Sequence, residues 1–317
     1  MKAHFTNHYK KSWTALTFIV LLSMSLSACQ TAAAEMPTET GQAAPGQTQP
    51  PETEEAPLAA ADTPEPTSVP TAETPIQAAP LERDPEDWKD WPVFPVQVSE
   101  ELKELYFWGI ENGNDPHAFS ILGDCHSLPE VFLGIYDSDP EAVRNLDDSL
   151  QETVQQFAGS FDRYSPTVVV GTTEGALLWA QWNENKEGYC LPNELPIDCE
   201  IRYHRPSIAF IRVGTHWEAR NEDYLRTIIE KLMANGTIPV IVTKPDNREL
   251  DERVNHNLAK LAVEYDLPLW NFWASIQDLP NGGLSADSDM YLSDDSYAVQ
   301  QVDGLIVLDF IYRSLNQ

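Results

Sequence analysis

Most of the chain alternates between short apolar runs and longer amphipathic segments. The apolar runs predict strands, and the segments with apolar residues every three or four positions predict helices. Predicted strands cover residues 118–122, 167–170, 207–213, 238–243 and 267–272. Predicted helices cover residues 99–110, 148–157, 172–182, 223–234, 252–265 and 296–315. Strands that alternate with helices favour parallel pairing through crossover helices, so we predict an α/β fold, a three-layer doubly wound parallel sheet.

The loops that follow these strands are the candidate functional segments. In open parallel sheets, ligands bind beyond the carboxyl ends of the strands. The corresponding loops cover residues 123–127, 214–221, 244–247 and 281–295. We therefore expect the chemistry of this chain to be concentrated in these four segments.

The amino-terminal segment has the features of an export signal. A positively charged start precedes an apolar run at residues 13–26, which is short for a membrane span of about 20 residues. The run ends in Leu26-Ser27-Ala28-Cys29, which resembles the lipobox of bacterial lipoproteins. We predict a signal peptide at residues 1–28, a lipid on Cys29, and an extracytoplasmic protein anchored to the membrane. An ordinary signal peptide with a chance cysteine is the alternative.

Residues 29–87 are rich in Pro, Thr, Ala and Glu and carry few large apolar side chains. Such a segment cannot bury enough surface to offset its ordering entropy, so we predict a disordered stalk, for which glycosylation is a compatible alternative. The folded domain is then residues 88–317. The formal net charge of −30 argues against a nucleic-acid partner.

Three cysteines remain if Cys29 carries lipid. Cys190 and Cys199 are close in sequence, and an exported protein is in a compartment where disulfides persist, so we predict a bond between them. Their spacing is not that of a zinc site, and we expect neither a metal nor another cofactor. Cys125 is the odd thiol.

Four sequence blocks resemble those of the SGNH (GDSL-type) hydrolases. They lie at residues 119–127, where a strand leads into Gly-Asp-Cys, at 205–216, where a strand leads into Gly-Thr-His, at 239–246, and at 283–293. The resemblance implies a flavodoxin-like fold of three layers and suggests ester hydrolysis.

The resemblance also implies a role for particular positions, several of which are substituted. Cys125 occupies the position of the serine nucleophile, His216 that of an oxyanion-binding asparagine, and Tyr291 that of the histidine base. Gly175, with Gly171 as the alternative, would supply an oxyanion-binding backbone N–H, and Asp124 keeps its family position as an acceptor of loop amides. Tyrosine is a poor general base at neutral pH because its pKa is near 10.

Three hypotheses follow. The first is a catalytically degenerate module that binds an extracellular glycan or another ligand, with His126, Ser127, Trp217 and Asp289 as candidate binding residues. The second is an active ester hydrolase that uses Cys125 as nucleophile and His126 or His216 as base. It requires the Cys125 sulfur to lie within hydrogen-bond reach of an imidazole nitrogen. The third, ranked last, is a two-lobed solute-binding lipoprotein. Trp179 and Trp182 are candidates for sugar stacking, with simple packing as the alternative.

Overall fold

Four parallel strands form the centre of the domain in this computed structural model, which describes residues 83–317. The strands are β1 (Asp115–Gly123), β2 (Pro206–Arg212), β3 (Ile238–Val242) and β4 (Leu269–Trp270), and they lie side by side in that order. All three pairings are parallel. The predicted parallel α/β architecture is therefore confirmed. The predicted signal peptide, Cys29 and most of the predicted stalk lie outside the described residues.

Helices connect the strands and cover both faces of the sheet. The α-helices are α1 (Glu100–Glu111), α2 (Ile135–Ser138), α3 (Pro140–Arg144), α4 (Asp148–Gln156), α5 (Pro196–His204), α6 (Asn221–Ala234), α7 (Arg253–Glu264), α8 (Phe272–Ile276) and α9 (Asp294–Leu315). Short 3₁₀ helices cover Pro85–Asp90, Cys125–Ser127, Glu174–Leu178, Ala180–Trp182 and Pro280–Gly283. Within residues 83–317, none of the helices has the length and apolar character needed to cross a bilayer.

The sheet is wound in two directions from β1. Helices α6 and α7 pack against each other and on β3, whereas α9 packs with α1 and α4. On the outer side of β1, Val168 forms a parallel bridge with Gly123. Because the chain visits this outer edge before it returns to β2, the direction of winding reverses next to β1. Ligand sites of open α/β sheets form at such a reversal.

Aromatic packing fixes the strand that leads into the candidate site. The Phe119 side chain of β1 is fully buried, with ring centroids 4.9 Å from Phe161, 5.7 Å from Phe157 and 6.1 Å from Phe210. Burial of one such side chain contributes about 1.5–3 kcal/mol. The register pairs Gly123 with Arg212, so the loops that follow β1 and β2 begin side by side.

Three predicted elements differ from the structure. The predicted strand at residues 167–170 is reduced to the single bridge at Val168, and the chain then turns at Gly171, whose φ is +74°. The predicted helix at 172–182 is two 3₁₀ helices, because Trp179 between them has an extended backbone. The predicted strand at 267–272 ends at Trp270, since the Asn271 side chain accepts a hydrogen bond from the Ala274 N–H and begins α8.

The first described residues are attached to the carboxyl end of β4. Trp88 and Trp91 are buried, and the 3₁₀ helix Pro85–Asp90 packs on α7. The Asn271 side-chain amide donates to the backbone oxygen of Trp88 at 2.8 Å, and the Asn271 N–H donates to the oxygen of Val93 at 2.8 Å. Ordered packing thus starts before residue 88.

The predicted disulfide between Cys190 and Cys199 is confirmed. It closes a loop with a sequence separation of 9 residues, and both cysteines are buried. It connects the segment that follows the 3₁₀ helix Ala180–Trp182 to α5.

Replacing both cysteines by alanine should lower the free energy of unfolding by about 2–3 kcal/mol, because the crosslink restricts the unfolded chain. Urea unfolding of the two proteins measures the difference. Addition of a reductant should bring the parent protein down to the stability of the double variant and leave the variant itself unchanged. Equal stability of parent and variant without reductant would contradict this prediction.

Candidate active site

The loops after β1, β2 and β3 meet at the carboxyl edge of the sheet, together with the loop that precedes α9. A Cβ at Gly123 would lie 2.0 Å from Ser127 Oγ, so the turn out of β1 needs glycine. Ser127 is buried beneath this turn, and its hydroxyl faces the Arg212 oxygen at 3.5 Å. The first block therefore folds tightly against the end of β2.

The Asp124 carboxylate joins the first two loops. It is buried, and its two oxygens accept hydrogen bonds from the backbone N–H groups of His126 and Thr215, each at 3.2 Å. These contacts hold the loop after β2 against the loop after β1. They also place a negative charge beside Cys125.

The Cys125 thiol is half-buried and in a poor environment for a nucleophile. Burial, followed by the charge of Asp124, raises the pKa of this thiol to about 11. Among residues 83–317, no hydrogen bond joins its sulfur to an imidazole nitrogen. Since the thiolate is the attacking species, the thiol is not activated for nucleophilic attack.

Cys125 should therefore react with iodoacetamide roughly ten times more slowly in the folded chain than in guanidinium, since fewer molecules carry the thiolate. Mass spectrometry of the peptide that contains Cys125 measures the rate and separates it from Cys29. The rate in the folded chain should still rise as the pH approaches about 11. A folded-state rate that levels off near neutral pH would show that the thiol is activated after all.

The His126 ring is directed toward the loop before α9. Its Nε2 lies 2.9 Å from the Met290 backbone oxygen, and because a carbonyl only accepts, Nε2 carries the proton. Nδ1 is buried and has no hydrogen-bond partner among residues 83–317, and burial lowers the pKa of the ring. The ring therefore holds the last block in place, and its N–H proton is donated to a backbone oxygen.

The residues at the family base position are on the surface. The Tyr291 side chain is 44% exposed, and its ring centroid lies 6.1 Å from that of His126. The backbone N–H of Tyr291 donates to the Ser288 hydroxyl at 2.9 Å. Asp289 has a side chain that is 79% exposed and lies 3.5 Å from Arg248 Nε. This loop presents a phenol and carboxylates to solvent.

The predicted oxyanion residues are flanked by acidic and aromatic side chains. His216 and Trp217 are half-buried, and the Arg253 guanidinium lies 5.0 Å from the centre of the Trp217 ring. A Cβ at Gly175 would lie 3.1 Å from Glu218 Oε1 and 3.0 Å from the Tyr224 ring. Gly175 is thus in contact with the loop after β2, as an oxyanion-hole glycine would be, but the group it faces is a carboxylate.

The other histidines of the described domain contact groups away from this edge. His117 Nδ1 lies 3.1 Å from the Gln156 oxygen, and His204 Nε2 lies 3.0 Å from the Phe119 oxygen. His256 Nε2 lies 3.0 Å from Glu86 Oε1. These histidines lie at the start of β1, on α5 and on α7. Their ring nitrogens contact groups other than the Cys125 sulfur, so none supplies a base to Cys125.

Arg212 is a site residue that the sequence analysis did not identify. Its buried guanidinium donates to the His126 oxygen at 2.6 Å and to Gln300 of α9, and the Phe132 ring centre lies 4.5 Å away. Both acceptors are uncharged, and burial lowers the pKa of this arginine to about 10. The sequence did carry a signal for Arg212, because it is a charged residue within the apolar run 207–213.

A second buried group, Lys244 with Asp246 and Glu249, lies after β3. The Lys244 ammonium is 2.8 Å from Asp246 Oδ1 and also bonds Glu249 Oε2. The lysine side chain is 3% exposed and the carboxylates are fully buried. This ion cluster fixes the loop after β3. That loop is one of the four segments that follow predicted strands and were predicted to be functional.

The four blocks occupy the edge that the resemblance predicts. The first block contacts the block at 205–216 through Asp124 and Thr215 and the last block through His126 and Met290, and Val168 extends the sheet beyond β1. The fold is the doubly wound parallel α/β fold that the resemblance implies.

Several solved structures are similar to this domain. A GDSL-like lipase from Bacteroides thetaiotaomicron has 12% identity over 66% of this chain and 99% of its own, with a TM-score of 0.39. A member of the lipolytic protein G-D-S-L family from Veillonella parvula has 13% identity over 60% and 97%, with a TM-score of 0.35. An alpha/beta hydrolase enzyme from the metagenome of Lake Arreo, Spain, has 13% identity over 63% and 96%, with a TM-score of 0.41. No family model and no curated protein matches the chain.

Proposed function

We propose that this domain is a non-hydrolytic, SGNH-like module that binds an extracellular glycan or another ligand at the carboxyl edge of the sheet. The observation that carries the proposal is the state of Cys125. Its thiol has a pKa of about 11, and no imidazole among the described residues bonds its sulfur. A triad needs a base that takes the proton of the nucleophile.

The base position supports the same conclusion. Tyr291 replaces histidine there and is partly exposed, and His126 has its Nε2 proton on the Met290 oxygen. His126 Nδ1 could accept a proton, but burial lowers the pKa of the ring and opposes the imidazolium that general-base catalysis forms. Both histidine-based versions of an active hydrolase therefore lack support.

The glycan assignment draws on exposed aromatic side chains near the predicted oxyanion segment. Trp179 is 50% exposed and follows directly after the 3₁₀ helix that carries Gly175, and Trp182 is 43% exposed and ends the next 3₁₀ helix. Large exposed aromatic side chains are frequent at binding surfaces. They offer flat faces on which sugar rings could stack.

Hydrolysis of p-nitrophenyl acetate by the purified chain tests the proposal. We expect no burst and no saturable turnover, and the slow background should be the same for Cys125→Ala. Saturable activity that Cys125→Ala abolishes would instead establish the alternative, an ester hydrolase with a cysteine nucleophile. A glycan array with Trp179→Ala and Trp182→Ala as paired variants tests the binding role, and undiminished binding by both would remove the aromatic faces from the site.

We also propose that the chain is anchored to the membrane by a lipid on Cys29, outside the cytoplasm. The support is the sequence Leu26-Ser27-Ala28-Cys29 after an apolar run. Two or more acyl chains would hold the protein stably on a bilayer. Detergent phase partitioning of the protein expressed in a bacterial host tests the anchor. Cys29→Ser should move the protein from the detergent phase to the aqueous phase. Retention of the variant in the detergent phase would refute the anchor.

A further inference from the structure

The Glu218 carboxylate lies beside Gly175, the residue that the resemblance assigns to the oxyanion hole. Glu218, in the loop after β2, accepts a hydrogen bond from the Thr173 hydroxyl, and its Oε1 lies 3.1 Å from the position of a Cβ at Gly175. A negatively charged acyl intermediate placed beside Gly175 would meet a like charge. The same location favours a positively charged group.

A second carboxyl group lies within the same segment. Glu174 is 1% exposed, and neither of its oxygens has a hydrogen-bond partner in the described chain. Burial raises its pKa to about 7 and the charge of Glu218 adds to the rise, whereas the backbone N–H dipoles of Glu174 and Glu218 and the charge of Lys244 oppose it. An unpartnered buried carboxyl group is unusual in a native fold and calls for an explanation.

Within residues 83–317, the elements around this segment do not supply a spare cation. Their positively charged side chains already have acidic partners. These pairs are Lys244 with Asp246 and Glu249, Arg220 with Asp223, Arg226 of α6 with Glu222 and Glu264, Arg253 with Asp251, Lys231 of α6 with Asp198 of α5, and Arg202 of α5 with Glu194. His216 in the β2 loop and Tyr224 on α6 are the other titratable groups beside Glu218 and Gly175. The two glutamates are thus left with an excess of negative charge.

We propose that the segment beside Gly175 binds its ligand through a protonated amine, with Glu218 in contact with the ammonium group and the buried Glu174 as a second negative charge. The inference rests on the proposed binding function and narrows the ligand to an amine-bearing molecule, such as a glycan with an amino group. An organic cation is favoured over a metal ion, because within residues 83–317 potential metal ligands gather in threes only at Cys190, Glu194 and Cys199, where both sulfurs form the disulfide.

Binding of a cation at Glu218 should be coupled to loss of a proton from Glu174. The neutral carboxyl group becomes a carboxylate and its proton passes to solvent, since the added positive charge stabilises the ionised form. The affinity for an amine should therefore rise between about pH 6 and about pH 8, the range that brackets the pKa of about 7. A ligand without a charge should show no such rise.

Titration calorimetry with two matched probes tests the proposal. The probes are 2-aminoethyl glucoside, whose alkylamine stays protonated at about pH 8 as a lysine side chain does, and the neutral 2-hydroxyethyl glucoside. We expect the amine to bind roughly tenfold more tightly at about pH 8, and the preference to shrink at about pH 6. Glu218→Gln should abolish the preference. Glu174→Gln should abolish its pH dependence and the release of a proton, which a comparison of buffers with different ionisation enthalpies detects.

Glu111→Gln is the matched control, since it makes the same change on the exposed end of α1. Equal affinity for the two probes would overturn the amine preference and leave the binding function intact, and so would a preference that survives in Glu218→Gln. Absence of binding by both probes up to about 10 mM would also overturn this inference. Saturable esterase activity is the separate result that would overturn the proposed function.

Discussion

Replacing Lys244 by methionine is expected to lower the free energy of unfolding by about 3–5 kcal/mol near neutral pH. The lysine side chain is 3% exposed and is the cation of a cluster in which the side chains of Asp246 and Glu249 are fully buried. Methionine fills a similar volume but leaves two carboxylates without a counter-charge in a low-dielectric environment. The loss thus measures the cost of the two uncompensated charges. The stabilising contribution of the intact cluster is a separate quantity.

Urea unfolding at about pH 7 tests this prediction. The triple variant Lys244→Met, Asp246→Asn and Glu249→Gln should recover most of the stability, because its amide oxygens still accept from the N–H groups of Arg248 and Val254. A loss below about 1 kcal/mol, or a triple variant no more stable than Lys244→Met, would count against a buried charge effect.

Glu174→Gln is expected to make the domain more stable at about pH 8, by up to about 3 kcal/mol, and to have little effect at about pH 4. Burial raises the pKa of Glu174 from 4.5 to about 7. A carboxyl group whose pKa is raised in the fold contributes stability below the unfolded value, and this contribution is lost as the pH rises through the folded value. The parent protein should therefore lose stability between about pH 4.5 and about pH 7.

The difference between parent and variant isolates this one group, since glutamine has nearly the same shape. Chemical unfolding at several pH values gives the two stability curves, and Glu111→Gln on the surface of α1 should follow the parent curve. Parallel curves for the parent and Glu174→Gln would show that Glu174 titrates as an ordinary surface carboxyl group.

The elements that the sequence predicts well are those with a long and regular pattern. Helices α6, α7 and α9 and strands β1, β2 and β3 lie within a few residues of the predicted bounds. The failures at residues 167–170 and 267–272 are short apolar runs, for which periodicity alone does not separate a strand from a helix. Residues 267–272 are the clearest case, because the side chain of Asn271 starts a helix inside the run.

The sequence predicts the location of the candidate site well, but it predicts the chemistry of the site much less well. The rule that ligands bind beyond the strand ends selects the loops that hold Asp124, His216, Glu218 and Lys244. The pKa of Cys125 and the partners of Arg212 depend on side chains that are distant in sequence, such as Gln300 of α9 for Arg212. The acidic environment of Gly175 arises likewise from a contact between the loop after β2 and a segment about 40 residues earlier, at Thr173.

The attachment of the first described residues at Asn271 has a mechanical consequence. A pulling force transmitted along the backbone from the amino-terminal side would enter the fold at Trp88 and Val93, through their hydrogen bonds with Asn271 at the end of β4. Strand β4 is one edge of the sheet, whereas Val168 lies beyond the other edge. Tension at this attachment would therefore load the β4 edge and α7 before it reached β1, because the 3₁₀ helix Pro85–Asp90 packs on α7.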